Sequence, residues 1–148
     1  MNVLKLLTGI RALNQDEYAK PEGQPVRDLY LDYIARMFQT LGDTPDAASA
    51  NARTVLAIEA ELAAAELTVE QRSNPSANYN KLSFADAQAL IPAIDLGAFF
   101  RGLGVTPPET LLVSDPAGVR AVQKILVQRP AGELRTLLRW HVLSARAA

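Results

Sequence analysis

Apolar positions recur at steps of three and four along most of this chain, the pattern of helices that bury one face. Val26, Leu29, Tyr30, Tyr33, Ile34, Met37 and Leu41 form the clearest stripe; Pro25 suits the first turn of such a helix and Gly42 supplies a left-handed stop. Thr44 and Pro45 repeat the start signal, with Asp46 placed to complement the helix dipole. The helix they open runs through Val55, Ile58 and Leu62 to about Leu67, and Ala57, Ala60, Ala63, Ala64 and Ala65 let a neighbouring helix approach closely. Upstream, Val3, Leu4, Leu6, Leu7, Ile10 and Leu13 also fit a helical stripe, weakened at Gly9 and closed by Pro21 and Gly23, so the spacing predicts an N-terminal helix.

Between Thr68 and Leu82 the pattern loosens, and Pro75 with its Ser, Asn and Tyr neighbours predicts a loop, or a short helix followed by a turn. Ser83 and Asp86 have the spacing of a capping box for a short helix that stops before Pro92, and Asp95 caps another, containing Phe99 and Phe100, that ends at Gly102 and Gly104. Leu111, Leu112 and Val113, framed by Pro107, Pro108 and Asp115, are the one strand-like run; a lone strand makes no sheet, so they are expected as an isolated extended segment. Asp115 and Pro116 start a helix through Val119, Val122, Ile125 and Leu126 to about Arg129, and Leu134, Leu137, Leu138 and Val142 mark a last one. The class this predicts is all-α: one irregular bundle of about five to seven helices in a single domain over residues 1–148.

Composition agrees with a globular chain. With 148 residues, 49% hydrophobic and 21% charged, it suffices for one core and is too apolar for disorder. A net charge of −1 gives no electrostatic footprint for a polyanion, so nucleic acid is not expected as a partner. There is no cysteine, hence no disulfide, thiolate zinc site or cysteine nucleophile. The apolar stretch from Val3 to Leu7, with Lys5 inside it, is too short to cross a bilayer and lacks a signal-peptide layout. No membrane is expected, and the chain is read as soluble and retained where it is made unless an exported parent carries the missing segment.

Candidate chemistry is sparse. Zinc hydrolysis needs several ligands converging on one ion, and a serine triad or acid–base pair needs histidine; His141 is the single histidine and reads as a partly buried or surface side chain beside Trp140. Asp28 with Asp32, and Glu66 with Glu70, share helix faces at four-residue steps and read as solvated pairs. Gly102 and Gly104 follow a helix without a Gly-Lys-Ser/Thr run, which makes a helix C-cap rather than a phosphate loop. No catalytic residue, metal ligand or cofactor is therefore expected.

Three stretches, Pro25 to Gly42, Val55 to Ser83 and Ile91 to Val105, together resemble the N-terminal part of the extracellular region of neprilysin-type zinc metallopeptidases. The distinctive piece is the alanine-rich helix with its glutamate, followed by Arg72, then Asn78, Tyr79 and Asn80, and a turn containing Asp95; the final segment from Glu133 to Ala148 also looks familial. The resemblance implies the mostly helical lobe that caps the catalytic chamber and limits substrate size, in a periplasmic or extracellular setting. It carries over no catalytic residue, because that family's His-Glu-x-x-His lies beyond this chain, and it implies that Arg72, Asn78, Tyr79 and Asn80 fix a loop. The sequence departs from the family between Gly9 and Tyr18, and Leu67 and Leu96 stand where tryptophans are expected.

Two functional expectations follow. The first is an excised, engineered helical scaffold, monomeric in isolation, that presents a protein-binding surface made by Val3, Leu6, Leu7, Ile10, Arg11, Leu13, Asn14, Glu17 and Tyr18. The second is a fragment or subunit of a zinc metallopeptidase that shapes the substrate chamber once the catalytic half is supplied.

Overall fold

A computed structural model of the chain describes residues 5, 6 and 12–146. In chain order the elements are β1 (Lys5–Leu6), α1 (Gln15–Ala19), a 3-10 turn (Pro21–Gly23), α2 (Gln24–Thr40), α3 (Pro45–Ala65), α4 (Val69–Ser73), α5 (Pro75–Asn78), β2 (Asn80–Ser83), α6 (Phe84–Leu90), α7 (Leu96–Gly102), β3 (Thr110–Val113), α8 (Pro116–Gln128) and α9 (Ala131–Arg146). Two compact units emerge, a helical one within Arg11–Ala64 and Gln128–Ala148 and a mixed one within Met1–Ile10 and Ala65–Val127.

The helical unit forms as the apolar spacing predicts. Pro25 lies in the first turn of α2, and at its other end Gly42, at φ 93°, turns the chain so that the amides of Gly42 and Asp43 reach the carbonyls of Gln39 and Phe38. Its core gathers Tyr30, Ile34 and Phe38 of α2, Ala48, Ala52 and Val55 of α3, and Trp140 of α9. Ile34, Phe38, Val55 and Ile58 are fully enclosed, and each such large side chain contributes about 1.5–3 kcal/mol over exposure. The alanines at 48 and 52 leave room for that packing.

The mixed unit is built from shorter pieces whose ends are set by side chains. Thr68 and Gln71 form a capping box on α4, Asn74 caps α5, Ser83 accepts from the Asp86 amide at the start of α6, and Asp95 accepts from Ala98 at the start of α7. Gly104, at φ 71°, closes α7: its amide reaches Arg101 and that of Val105 reaches Phe100, which places a helix C-cap where the glycine pair predicts one. The core collects Ala87, Ile91, Leu96, Phe100, Leu111, Val113 and Val119.

The helical class stands, and two details differ from expectation. Leu111–Val113 is extended, but it is not isolated: β3 is the central strand of a three-stranded sheet in the order β1-β3-β2. β2 runs antiparallel, pairing Asn80 with Val113 and Leu82 with Leu111, and β1 runs parallel, pairing Lys5 with Leu112 and Leu6 with Val113. The second difference concerns Lys5 and Leu6, which are strand and not the expected helix; the rest of that segment up to Arg11 lies outside the described residues. The physical reason is shared. A strand presents backbone groups on both edges, and the short segments Lys5–Leu6 and Asn80–Ser83, too brief to show a period of their own, satisfy those of β3. α1, α4 and α5, each five residues or fewer, add helices that periodicity cannot register.

Candidate functional site

The most unusual chemistry among the described residues is a carboxylate inside the helical unit. Glu59 sits on α3 at 1% exposure, in line with Ala52, Val55 and Ala63 along the buried stripe. Two other elements bond to it directly and a third joins through one of them. The Tyr18 hydroxyl from α1 donates to its Oε2 at 2.8 Å, and the Tyr30 hydroxyl from α2 donates at 3.0 Å. Trp140 of α9 then donates through Nε1 to the Tyr30 oxygen at 3.1 Å, so Tyr30 both gives and receives. The indole also meets the rings of Tyr30 and Tyr33 edge-on, with centroids 5.9 and 5.8 Å away.

Burial, reinforced by the Glu59 charge, raises both phenol pKa values well above the ordinary range. Tyr18 and Tyr30 are therefore held as neutral donors. A carboxylate answered by fixed hydroxyls is a satisfied polar core that locks the four elements in one arrangement. The described residues contain no group of three His, Cys, Asp or Glu side chains able to hold a metal ion.

α1 is seated from its other side as well. The Arg27 guanidinium donates to the carbonyls of Glu17, Tyr18 and Lys20, capping the last turn of α1, and Gly23 is buried so close to the Glu17 carbonyl that no side chain would fit. A second polar cluster pins α9: Arg139 pairs with Asp43 at 3.0 Å and lies over the Phe38 ring, while Asn51 donates to Asp43 at 2.8 Å. The Arg139 hydrogen bond holds the Asp43 carboxyl below its usual pKa.

The residues expected to form an N-terminal binding surface separate into distinct environments. Tyr18 is buried on Glu59, and Leu13 packs against the helical core. Asn14 and Glu17 form the capping box that starts α1, each side chain bonding the other's amide, at 2.9 and 2.7 Å. Leu6 is placed by its backbone in β1; Val3, Leu7, Ile10 and Arg11 lie outside the described residues. Of the family-like loop, Asn78 donates to the Arg72 and Asn74 carbonyls, Arg72 pairs with Glu66 at 3.6 Å, Asn80 enters β2 and Tyr79 is exposed. Sequence reasoning missed Glu59 as a buried group. The signal was available: the sequence Ala52, Val55, Glu59, Ala63 steps by three and four, which puts the glutamate on the apolar stripe.

This architecture has relatives. The N-terminal model of peptidase family M13 matches residues 1–148, the whole chain. The chain belongs to peptidase family M13. Endothelin-converting enzyme 1 from Rattus norvegicus is 25% identical over 142 residues, covering 92% of this chain and 19% of the relative. The counterpart from Mus musculus shows the same identity over 18% of its length. Among solved structures, the Mycobacterium tuberculosis zinc metalloprotease ZMP1 in complex with inhibitor superposes with a TM-score of 0.86 at 25% identity, over 95% of this chain and 22% of that one. ZMP1 in its open state gives a TM-score of 0.87 with the same identity and coverage. The chain thus spans about a fifth of the length of these M13 relatives, and what it matches is the family's N-terminal region, which is not the catalytic half. M13 proteins are extracellular or periplasmic; no described helix is long and apolar enough to cross a membrane.

Proposed function

We propose that this chain is part of the helical cap of an M13 zinc metallopeptidase, the lobe that covers the chamber in which peptides are cut and restricts what enters it. The observation that carries the reading is the match of the family's N-terminal model to residues 1–148. The likeness to ZMP1, a zinc metalloprotease, over 95% of the chain supports it. The contribution is mechanical. A cap must hold its shape against a substrate, and the Glu59 network with the Arg139–Asp43 pair supplies that rigidity inside the helical unit.

Zinc fits nowhere among these residues: the chain has one histidine and no cysteine, and the described residues bring no three ligands together. In this reading the ion and its ligands belong to the remainder of the enzyme. The alternative, an engineered scaffold presenting residues between Val3 and Tyr18 to a protein, draws on departures that lie within the family match, and Tyr18 is committed to Glu59. The chamber reading is therefore favoured. Replacing the matched segment of ZMP1 with this chain and assaying peptide hydrolysis tests it. A folded chimera that cleaves peptides is expected; a folded chimera without activity would retire the reading.

A further inference from the structure

Helix α9 is apolar on two sides. Leu137, Trp140 and Leu143 pack into the core of the helical unit. Leu138 and Val142, one turn apart, remain 65% and 67% exposed. Each is two residues from Trp140, roughly 200° around the axis, so they form an outer face opposite the packed one. Arg135 and Arg146, both exposed, bracket them at helical steps of three and four. A surface helix keeps its apolar residues on one stripe, so an apolar pair opposite the packed face departs from that pattern.

We infer that the outer face of α9, centred on Leu138 and Val142, is the seat of an apolar segment from the catalytic remainder of an M13 peptidase. This rests on the proposed function. Two observations select that occupant over a second copy of the chain. The relatives hold far more polypeptide than this chain, which covers only 19% of endothelin-converting enzyme 1 and 22% of ZMP1. The exposed pair on one helix is also much smaller than the roughly 800 Å² per partner of a stand-alone interface. It suffices for a segment of the same polypeptide, whose effective concentration is set by the chain itself. The two arginines call for carboxylates at the ends of the docking segment.

The sequence contains no cysteine, so a single Leu138→Cys substitution gives a unique reporter in this chain. Its labelling by a maleimide is followed by peptide mass mapping in the isolated chain and in the ZMP1 chimera described above, with the denatured proteins fixing the intrinsic rate. Fast labelling in the isolated chain and at least tenfold slower labelling in the active chimera is the expected result. Equal rates in an active chimera overturn the inference and leave the cap reading intact. Slow labelling of the isolated chain that quickens on dilution overturns it in favour of self-association. A folded chimera that does not cleave peptides overturns the cap reading and this inference with it.

Discussion

In the helical unit the buried polar groups answer one another: Tyr18 and Tyr30 donate to Glu59 and Trp140 donates to Tyr30, side chain to side chain, which links four elements. In the mixed unit polar side chains answer the backbone. Gln88 donates to the carbonyls of Ile91 and Ile94 and accepts from the Leu96 amide, three bonds to the backbone of the turn between α6 and α7. Asp115 accepts from the Leu67 and Gly118 amides, and Gln123 accepts from Ala93. The contrast follows from element length. Long helices satisfy their own backbone and leave side chains to specify how they meet, while short helices and strands expose backbone groups that must be satisfied one at a time.

The largest expected effect tests the centre of the helical unit. Trp140→Ala removes the indole that touches Tyr30, Tyr33 and Phe38 and leaves a cavity, at a cost of about 3–5 kcal/mol. Urea unfolding measures it. Hydrogen exchange should show the loss of protection concentrated in α2, α3 and α9; equal loss in β2 and β3 would break the contrast between the units.

Next in size is Glu59→Ala, which strips two buried hydroxyls of their acceptor. At about 1–3 kcal/mol for each unsatisfied group, partly offset because no carboxylate is then buried, the cost should reach about 2–4 kcal/mol. Glu59→Gln keeps the shape and one acceptor oxygen, so it should cost less than half as much. If the alanine variant is no less stable than the glutamine one, the network is not what joins these helices. In the mixed unit the matching experiments, Gln88→Ala and Asp115→Ala, each remove bonds to backbone amides and should cost about 1–2 kcal/mol, with the exchange effect confined to the turn or cap concerned.

The same contrast explains how far the sequence could be read. α2, α3, α8 and α9 announce themselves through apolar steps and through Pro25, Pro45 and Pro116, because a long helix writes its buried face into local spacing. The sheet does not, since the partners of β3 lie some thirty and more than a hundred residues away and nothing local encodes that pairing. Lys5–Leu6 could not be told from the start of a helix for the same reason. At the candidate site, Trp140 and Tyr30 were visible as members of apolar stripes. Glu59 was legible only as a charged residue on such a stripe, and Tyr18 only once the fold brought α1 onto α3, a contact spanning 41 residues.

The smallest expected effect concerns acid. His141 follows Trp140 on α9 and is partly buried, and that burial lowers its imidazole pKa below the ordinary value of about 6.5. The unfolded chain therefore takes up a proton at a higher pH than the folded one does. Stability from this residue is complete above about pH 6.5, declines as the pH falls from there, and stops declining once the pH is below the folded value. Asp43 works in a lower window: its depressed carboxyl keeps its contribution above the ordinary aspartate value of about 3.9 and loses it only below. The two are separable by measuring urea midpoints between about pH 7.5 and pH 5. His141→Gln should flatten that stretch of the curve, whereas Asp43→Asn should lower the whole of it by a constant amount; a histidine variant that keeps the full acid-side slope would mean that the imidazole meets water as freely in the folded chain as in the unfolded one.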